Sequence, residues 1–348
     1  MKIWKIVLNI ILALAVPIIL LFGGMMIGGK ILDLFLSILN INYDDLSNLE
    51  QRTYAMFIPL LIVVLTLLAA FLHHRSLRPL RLPTGFLSKE TYKNYGIGIG
   101  IVFTFFVVNT ILNLLIAGGS ITVSAHPDSV KIVLLTIPVV MIQSFYEEIL
   151  FRGYALGTLL RSTNVYVAIL LNPIAFSVLH FNSPDYSEFL VFLIAYFVGV
   201  FFSILTLAYN NLWVAAGGHF IWNYTIAIFG DDGEGMLFDT YYSNKDITLW
   251  VSVALLMILV ILSWIVYKNR IMKINNEIKR KNSLLKKMIS LLHRQFHKKM
   301  ISVLLSVPFV KFIKDIKQPF FHGYSMKEWL FLMKIIYVIL TGWLCTLG

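Results

Sequence analysis

Lys131 to Leu156 reads KIVLLTIPVVMIQSFYEEILFRGYAL, and the nature of the molecule turns on this stretch. Beyond Lys131 its charges are confined to Glu147, Glu148 and Arg152. The rest is apolar and continues for longer than the roughly 20 helical residues that cross a bilayer. An ionisable side chain inside a span costs several kcal/mol by insertion scales, about 2.5–3.5 at a helix centre. Such residues therefore stand as functional candidates by default.

Runs of similar length and apolarity recur along the chain. Candidate spans are Ile6 to Ile27, Tyr54 to Leu72, Tyr95 to Ala117, Lys131 to Leu156, Val165 to His180, Phe189 to Ala208, Leu212 to Phe229 and Leu249 to Tyr267. Composition agrees: of 348 residues 58% are hydrophobic and 14% charged, whereas soluble domains are nearer half apolar and a quarter charged. The expected fold class is all-α, a polytopic membrane bundle of roughly eight helices.

Basic residues set the expected orientation. Arg75, Arg78, Arg81, Lys89 and Lys93 follow the second span, Arg161 the fourth, and Lys268, Arg270 and Lys273 the eighth. The loops between are acidic or poor in Lys and Arg, with Asp44, Asp45, Glu50, Asp185, Glu188, Asp231, Asp232 and Glu234. By the positive-inside rule both the N-terminus and the end of the eighth helix are cytoplasmic, in a multi-pass protein of the cell membrane. The first span lies behind Lys2 and Lys5 and is too long for a signal peptide's apolar region, so it reads as an uncleaved helix.

The formal net charge of +11 raises the question of nucleic acid. Its location beside apolar runs belongs instead to a membrane surface, and no nucleic-acid partner is expected. Lys268 to Lys299 interleaves Lys and Arg with Leu284, Leu285, Met288, Ile289 and Leu292, the pattern of a basic amphipathic helix on the anionic inner leaflet. Trp329 to Leu347 is apolar around Lys334 and is a candidate further membrane segment. The expected domains are residues 1–125, the N-terminal helices; 130–230, a catalytic core; 231–267, the last core helix; and 268–348, the basic tail.

Several features carry less than they suggest. Gly96, Gly98 and Gly100 lie inside an apolar span, Gly96 and Gly100 four apart, and close helix packing explains them. Gly230-Asp231-Asp232-Gly233-Glu234 has no EF-hand spacing. Cys345, the single cysteine, excludes an internal disulfide and a CxxC site. His293 and His297 are four apart but belong to the basic tail.

Of eight histidines, only His180 and His219 lie in or at the edge of core spans. Glu148 and Arg152 are four residues apart and share a helix face, which pairs them, while Glu147 points about 100° away and is left able to take up a proton. Gln143 is one turn before it. Counted from a turn near Ser162, Glu147 and His180 are 15 and 18 residues along opposite arms, roughly 22 and 27 Å at helical rise and so at similar depth. His219 and Asn223, again four apart, project together and offer an imidazole and a carboxamide N–H, a sensible oxyanion-binding pair. Phe176 sits one turn before His180, and Pro173 lies in the same helix.

Three motifs then stand in order: Glu147-Glu148-x-x-x-Arg152 followed by Gly153, Phe176-x-x-x-His180, and His219-x-x-x-Asn223. Together, in a multi-span chain, they resemble the CPBP intramembrane endopeptidases, the Abi or CAAX-protease family, over about Val130 to Phe229. The resemblance implies hydrolysis of a peptide bond in a membrane-associated, prenylated or bacteriocin-like peptide or membrane-protein substrate, with bacteriocin immunity among the family's roles. It implies that Glu147 and His180 activate water, that His219 and Asn223 bind the oxyanion, and that Glu148, Arg152 and Phe176 support them. No cofactor is favoured. The alternative is a zinc shell of Glu147, His180 and His219, against which the chain has no HExxH pair and Asn223 fits an oxyanion role. A non-catalytic scaffold keeping the same fold is the competing reading, and the basic tail is the feature in its favour.

Overall fold

The computed structural model describes residues 3–42, 57–74, 88–123, 129–180, 187–231 and 237–306. Two compact units divide the chain, Met1–Ile278 and Lys279–Gly348. The second is helical as far as Ser306. Trp329 to Leu347, the candidate further segment, lies outside the described residues, as does His322.

The helices are α1 (Ile3–Ile38), α2 (Phe57–His74), α3 (Lys89–Asn113), α4 (Ser129–Glu148), α5 (Leu156–Ser162), α6 (Val165–Val178), α7 (Glu188–Tyr209), α8 (Trp213–Ile228) and α9 (Lys245–Ser306). Wider π turns extend α3 over Leu114–Gly118 and join α4 to α5 over Ile149–Ala155. Among the described residues, six stretches are long and apolar enough to cross a membrane: Ile3–Ile38, Phe57–His74, Lys89–Gly118, Val133–Ser162, Glu188–Tyr209 and Lys245–Lys273. Large apolar side chains on their outward faces are open, Ile19, Phe22, Leu68, Ile116 and Val266 among them. A soluble surface rarely shows such faces; hydrocarbon tails accept them. The molecule is a polytopic membrane helix bundle, as its composition requires.

Two of the eight expected spans are shorter than a full crossing. α6 has 14 residues and α8 has 16, about 21 and 24 Å at helical rise against a hydrocarbon core near 30 Å. Both are packed on several sides within protein, where short helices and their ends are tolerated. At the other extreme, α9 runs 62 residues without a break, through the last span and into the basic segment.

A small sheet was not expected. β1 (Gly119–Val123) pairs antiparallel with β3 (Phe238–Tyr242), which pairs in parallel with β2 (Phe229–Asp231), in the order β1-β3-β2. Each strand lies directly before or after a helix, so the sheet ties the ends of α3 and α8 to the start of α9. Its strands are three to five residues long, too short for a clear alternation of polar and apolar residues.

Local signals set the helix ends. Ser88 accepts from Thr91 N at 3.1 Å and caps α3; Asn164 accepts from Val167 N at 2.9 Å and caps α6. Asn210, at φ 55°, stops α7 in the left-handed conformation that asparagine tolerates. Close packing of α3 uses one of the three glycines expected to serve it. Gly96 and Gly100 face open space, while a Cβ on Gly98 would collide with the Val214 carbonyl of α8. Gly217 answers from α8 by meeting the Tyr95 carbonyl of α3. The contact therefore follows a Gly98–Gly217 crossing, and Gly96 and Gly100 lie on the other side of the helix. α7 is the most enclosed span, with 67% of its apolar window buried. Against it Pro173 of α6 seats on Gly199, where a Cβ would come within 2.7 Å of the ring.

Candidate active site

Glu147 and Glu148 are the last two residues of α4, and the π segment begins immediately after them. All seven of its residues, Ile149 to Ala155, are buried. A π turn widens the helix and shifts the faces that follow, and such turns recur at functional sites. Here it holds Arg152 back against Glu148. Arg152 Nη1 donates to Glu148 Oε1 at 2.8 Å, and neither side chain has any exposure. The ion pair expected from the four-residue spacing is present, at the centre of the protein.

His219 of α8 links this pair to Glu147. Its Nδ1 lies 2.8 Å from Glu148 Oε1, and its Nε2 lies 3.6 Å from Glu147 Oε2. Glu148 already accepts from Arg152, so the imidazole must donate through Nδ1–H, which fixes the ring with Nε2 turned to Glu147. Glu147 is 13% exposed and takes a further contact from Gln143 Nε2 at 3.4 Å. Aromatic rings enclose the rest. The Arg152 guanidinium lies 4.6 Å from the Phe176 centroid and 5.4 Å from that of Phe202; the same two rings flank His219 at 5.8 and 5.5 Å. A weakly hydrated guanidinium suits such faces.

His180 stands just beyond α6, its ring 4.6 Å from that of Phe176. Its Nδ1 is 2.9 Å from the Phe176 carbonyl. A carbonyl only accepts, so Nδ1 carries the proton and the neutral ring has a lone pair at Nε2. Glu147, His180, His219 and Asn223 all line one cavity of about 980 Å³, with Gln143 and Phe176. The Asn223 carboxamide has no hydrogen-bond partner among the described residues.

Charge counting limits what this cluster can hold. Two carboxylates and one guanidinium leave one negative charge, and a low-dielectric site favours cancelling it with one proton. That proton sits on Glu147 with His219 neutral, or on His219 Nε2 with Glu147 ionised. A single proton shared across 3.6 Å can pass between the two side chains without changing the net charge of the pair.

The structure thus places the site residues singled out from the sequence on the Arg152–Glu148–His219–Glu147 chain or on the wall of the cavity it opens to. It adds what spacing does not convey: Glu148 serves Arg152 and His219 at once, and Phe202 closes the site from α7. Phe202 carries no sequence signal, being one of 26 phenylalanines in an apolar span. For the zinc alternative, no group of three His, Cys, Asp or Glu side chains converges to hold a metal among the described residues. Both His219 nitrogens already face carboxylates. As placed, Glu147, His180 and His219 do not converge on one point. His293 and His297 lie on α9, in the second unit.

Comparison with known proteins places this site in a family. An uncharacterized protein of Bacillus anthracis is 81% identical over 105 residues, 30% of this chain and 95% of that one. No solved structure matches the chain. The family described as type II CAAX prenyl endopeptidase Rce1-like matches residues 129–225, a segment that begins with α4 and holds Glu147, Glu148, Arg152, His180, His219 and Asn223. Residues 129–225, which carry all three motifs, are thus similar to the CPBP, or CAAX-protease, family.

Proposed function

We propose that this protein is an intramembrane endopeptidase of glutamate type, cutting one peptide bond of a membrane-associated substrate. The observation carrying this is the chain Arg152–Glu148–His219–Glu147, with contacts of 2.8, 2.8 and 3.6 Å opening onto a cavity at Glu147. In the resting site Glu147 is ionised and His219 holds the shared proton. Glu147 and the Nε2 lone pair of His180 orient a water molecule. As the water oxygen attacks the scissile carbonyl carbon, Glu147 takes its proton, and the carbonyl π electrons move to oxygen. His219 Nε2–H and the Asn223 carboxamide donate to that oxyanion.

The charge balance favours this order. Before attack the site holds Glu147⁻, Glu148⁻, Arg152⁺ and His219⁺. In the tetrahedral intermediate Glu147 is neutral and the oxyanion has replaced its charge. The net charge stays at zero, so the low-dielectric site moves charge without creating any. Collapse re-forms the carbonyl, breaks the C–N bond and returns the Glu147 proton to the leaving amine. Arg152 holds Glu148, Glu148 holds His219, and neither touches the substrate.

The substrate class follows the family description, a prenylated or otherwise membrane-anchored peptide; a bacteriocin-like peptide, with a role in immunity, is the bacterial counterpart. The N-terminus and the Lys268–Lys299 segment are cytoplasmic in this proposal, the latter resting on anionic lipid. The alternative, a scaffold that keeps the fold without cutting, draws on the length of α9, whose 62 residues far exceed one crossing.

Peptides released by cells that carry the native protein, a Glu147→Ala form or none separate the two. A peptide present only with the native protein establishes cleavage through Glu147, and its ends give the cut site. Equal release from the native and Glu147→Ala cells, with a change only on deletion, supports the scaffold. A chelator that abolishes release, restored by added zinc, overturns the metal-free mechanism.

A further inference from the structure

The cavity has a second polar wall that the reaction does not use. Asn109 and Asn113 stand one turn apart on α3, and Thr248 and Ser252 one turn apart on α9. All four line the same cavity as Glu147 and His180. Ser252 joins the two helices: its Oγ lies 3.0 Å from Asn109 Oδ1, and it receives Asn113 Nδ2 at 3.4 Å. Ser252 Oγ is also 2.8 Å from the Thr248 carbonyl, and its one proton serves one of these two acceptors at a time.

Interhelical hydrogen bonds of this kind commonly hold membrane helices together. That role accounts for Asn113 Nδ2 and for Ser252. It leaves Asn113 Oδ1 unexplained, since that oxygen is buried with no hydrogen-bond partner among the described residues, in a residue only 3% exposed. An unmet acceptor in an apolar span is disfavoured unless something donates to it. The wall is uncharged, so it has no preference for a phosphate, a carboxylate or a cation. What carboxamides match is another amide, with an N–H to give and a C=O to receive. The flanks of the cavity, with Phe106, Ile194, Val198, Trp222 and Ile226, are apolar and suit the side chains of such a chain.

We propose that Asn113, braced by Ser252 and Asn109, is a backbone-binding subsite, its Oδ1 accepting a hydrogen bond from a main-chain N–H of the extended substrate. This rests on the endopeptidase reading, because it takes the cavity to hold a peptide whose scissile bond lies at Glu147. The subsite reads no side chain. It holds the substrate in register while the apolar flanks select residues, a division of labour common in extended-peptide recognition.

The test uses the full-length protein in detergent with Glu147→Gln, so that binding is measured without turnover. The probe is a fluorescent farnesylated peptide ending in a CAAX sequence, together with a series in which one backbone N–H at a time is replaced by N–CH₃. One position should weaken binding about tenfold, the size of one hydrogen bond. Asn113→Ala should lose a similar factor with the parent peptide, and no more with that same methylated peptide. Losses that multiply at every position, or an Asn113→Ala protein that binds as well as its parent, overturn the subsite. The methyl scan on protein unaltered at Asn113 stands by itself should that variant fail to fold: no sensitive position means no subsite. Cleavage by the native protein, followed alongside, separates the two claims. Binding with the Asn113 signature but no cutting keeps the subsite and removes the protease. Cutting stopped by Glu147→Gln, with methylation indifferent to Asn113, does the reverse. A protein that neither binds nor cuts the peptide overturns both.

Discussion

Two polar clusters built around histidine interrupt the apolar bundle, and residues only two apart in the π segment belong to different ones. Arg152 reaches into the first, with Glu148, His219 and Glu147. Tyr154 reaches into the second. There His73 Nδ1 lies 3.0 Å from Tyr154 Oη, and His73 Nε2 lies 3.3 Å from Asn9 Oδ1. His74 Nε2 meets Thr158 Oγ1 at 2.9 Å, and the two imidazoles stack at 4.1 Å. Asn9 Nδ2 passes on to Ser162 Oγ at 2.5 Å. The Asn9 carbonyl oxygen only accepts, so His73 donates from Nε2 and accepts the Tyr154 hydroxyl at Nδ1. Every bond in this second chain joins neutral partners, and it ends on a hydroxyl. It binds α1, α2 and α5 together and holds no proton that needs to move. The first chain has four ionisable groups, one shared proton and a face on a cavity. Histidine count does not separate the two. Carboxylates facing the imidazole, and an open side, do.

The largest effect expected from this contrast is at Arg152. Arg152→Met leaves His219 as the one cation facing the two carboxylates, so one buried negative charge goes uncompensated, and it should cost about 3–5 kcal/mol of stability, seen as a marked drop in the unfolding temperature of the detergent-solubilised protein. Peptide release should fall with it. Adding Glu148→Gln should recover much of the stability, because the buried charge goes, but not the activity, because His219 no longer has an ionised partner at Nδ1. Recovery of both would show that the first cluster, like the second, serves only to hold helices.

Asn223→Ala comes next. Loss of one oxyanion donor lowers turnover about 10²–10³-fold, while the unfolding temperature should stay within a degree or two. The Asn223 carboxamide gives up no hydrogen bond to the described residues, so the folded state has little to lose. Steady-state kinetics on a released peptide should show the fall in kcat with KM little changed. A fall in stability instead, with kcat preserved, would move Asn223 from the chemistry to the packing.

Much of this was legible before any coordinates. Long apolar runs are unambiguous in lipid, because a span must satisfy its own backbone, and the helices follow. The site was legible because charge is scarce in the spans, so Glu147, Glu148 and Arg152 stand out against Ile, Leu and Phe. What stayed hidden depends on distance between helices. That Glu148 Oε1 serves both Arg152 and His219 is a contact across 71 positions. The sheet was hidden because its strands are too short for a pattern. Of Gly96, Gly98 and Gly100 only Gly98 meets a neighbour, since spacing finds a face but not which face is covered. Asn109 and Asn113 did give a signal, two carboxamides four apart in an apolar span, yet neutral polar residues are easily read as helix packing. His73 and His74 fall just past the expected span Tyr54 to Leu72; the helix runs on to His74 and turns both rings onto Tyr154 and Thr158.

The smallest expected effect tests the second cluster most sharply. Tyr154→Phe removes the hydroxyl from His73 Nδ1 and keeps the ring, which is buried against its neighbours. A neutral hydrogen bond contributes about 0.5–1.5 kcal/mol net, so the unfolding temperature should fall by a few degrees. His73 can then turn or take water at a site that is only partly buried, which keeps the loss at the low end. Peptide release per folded molecule should be unchanged, because Tyr154 belongs to the chain of neutral bonds while Arg152, two residues earlier, belongs to the charged one. A loss of release larger than the loss of folded protein would mean that the π segment transmits the position of Tyr154 to Arg152. The two clusters would then be one device, with the helical turn between them as its lever. Equal losses would leave them as they stand in the structure, one holding the bundle and the other open to its cavity.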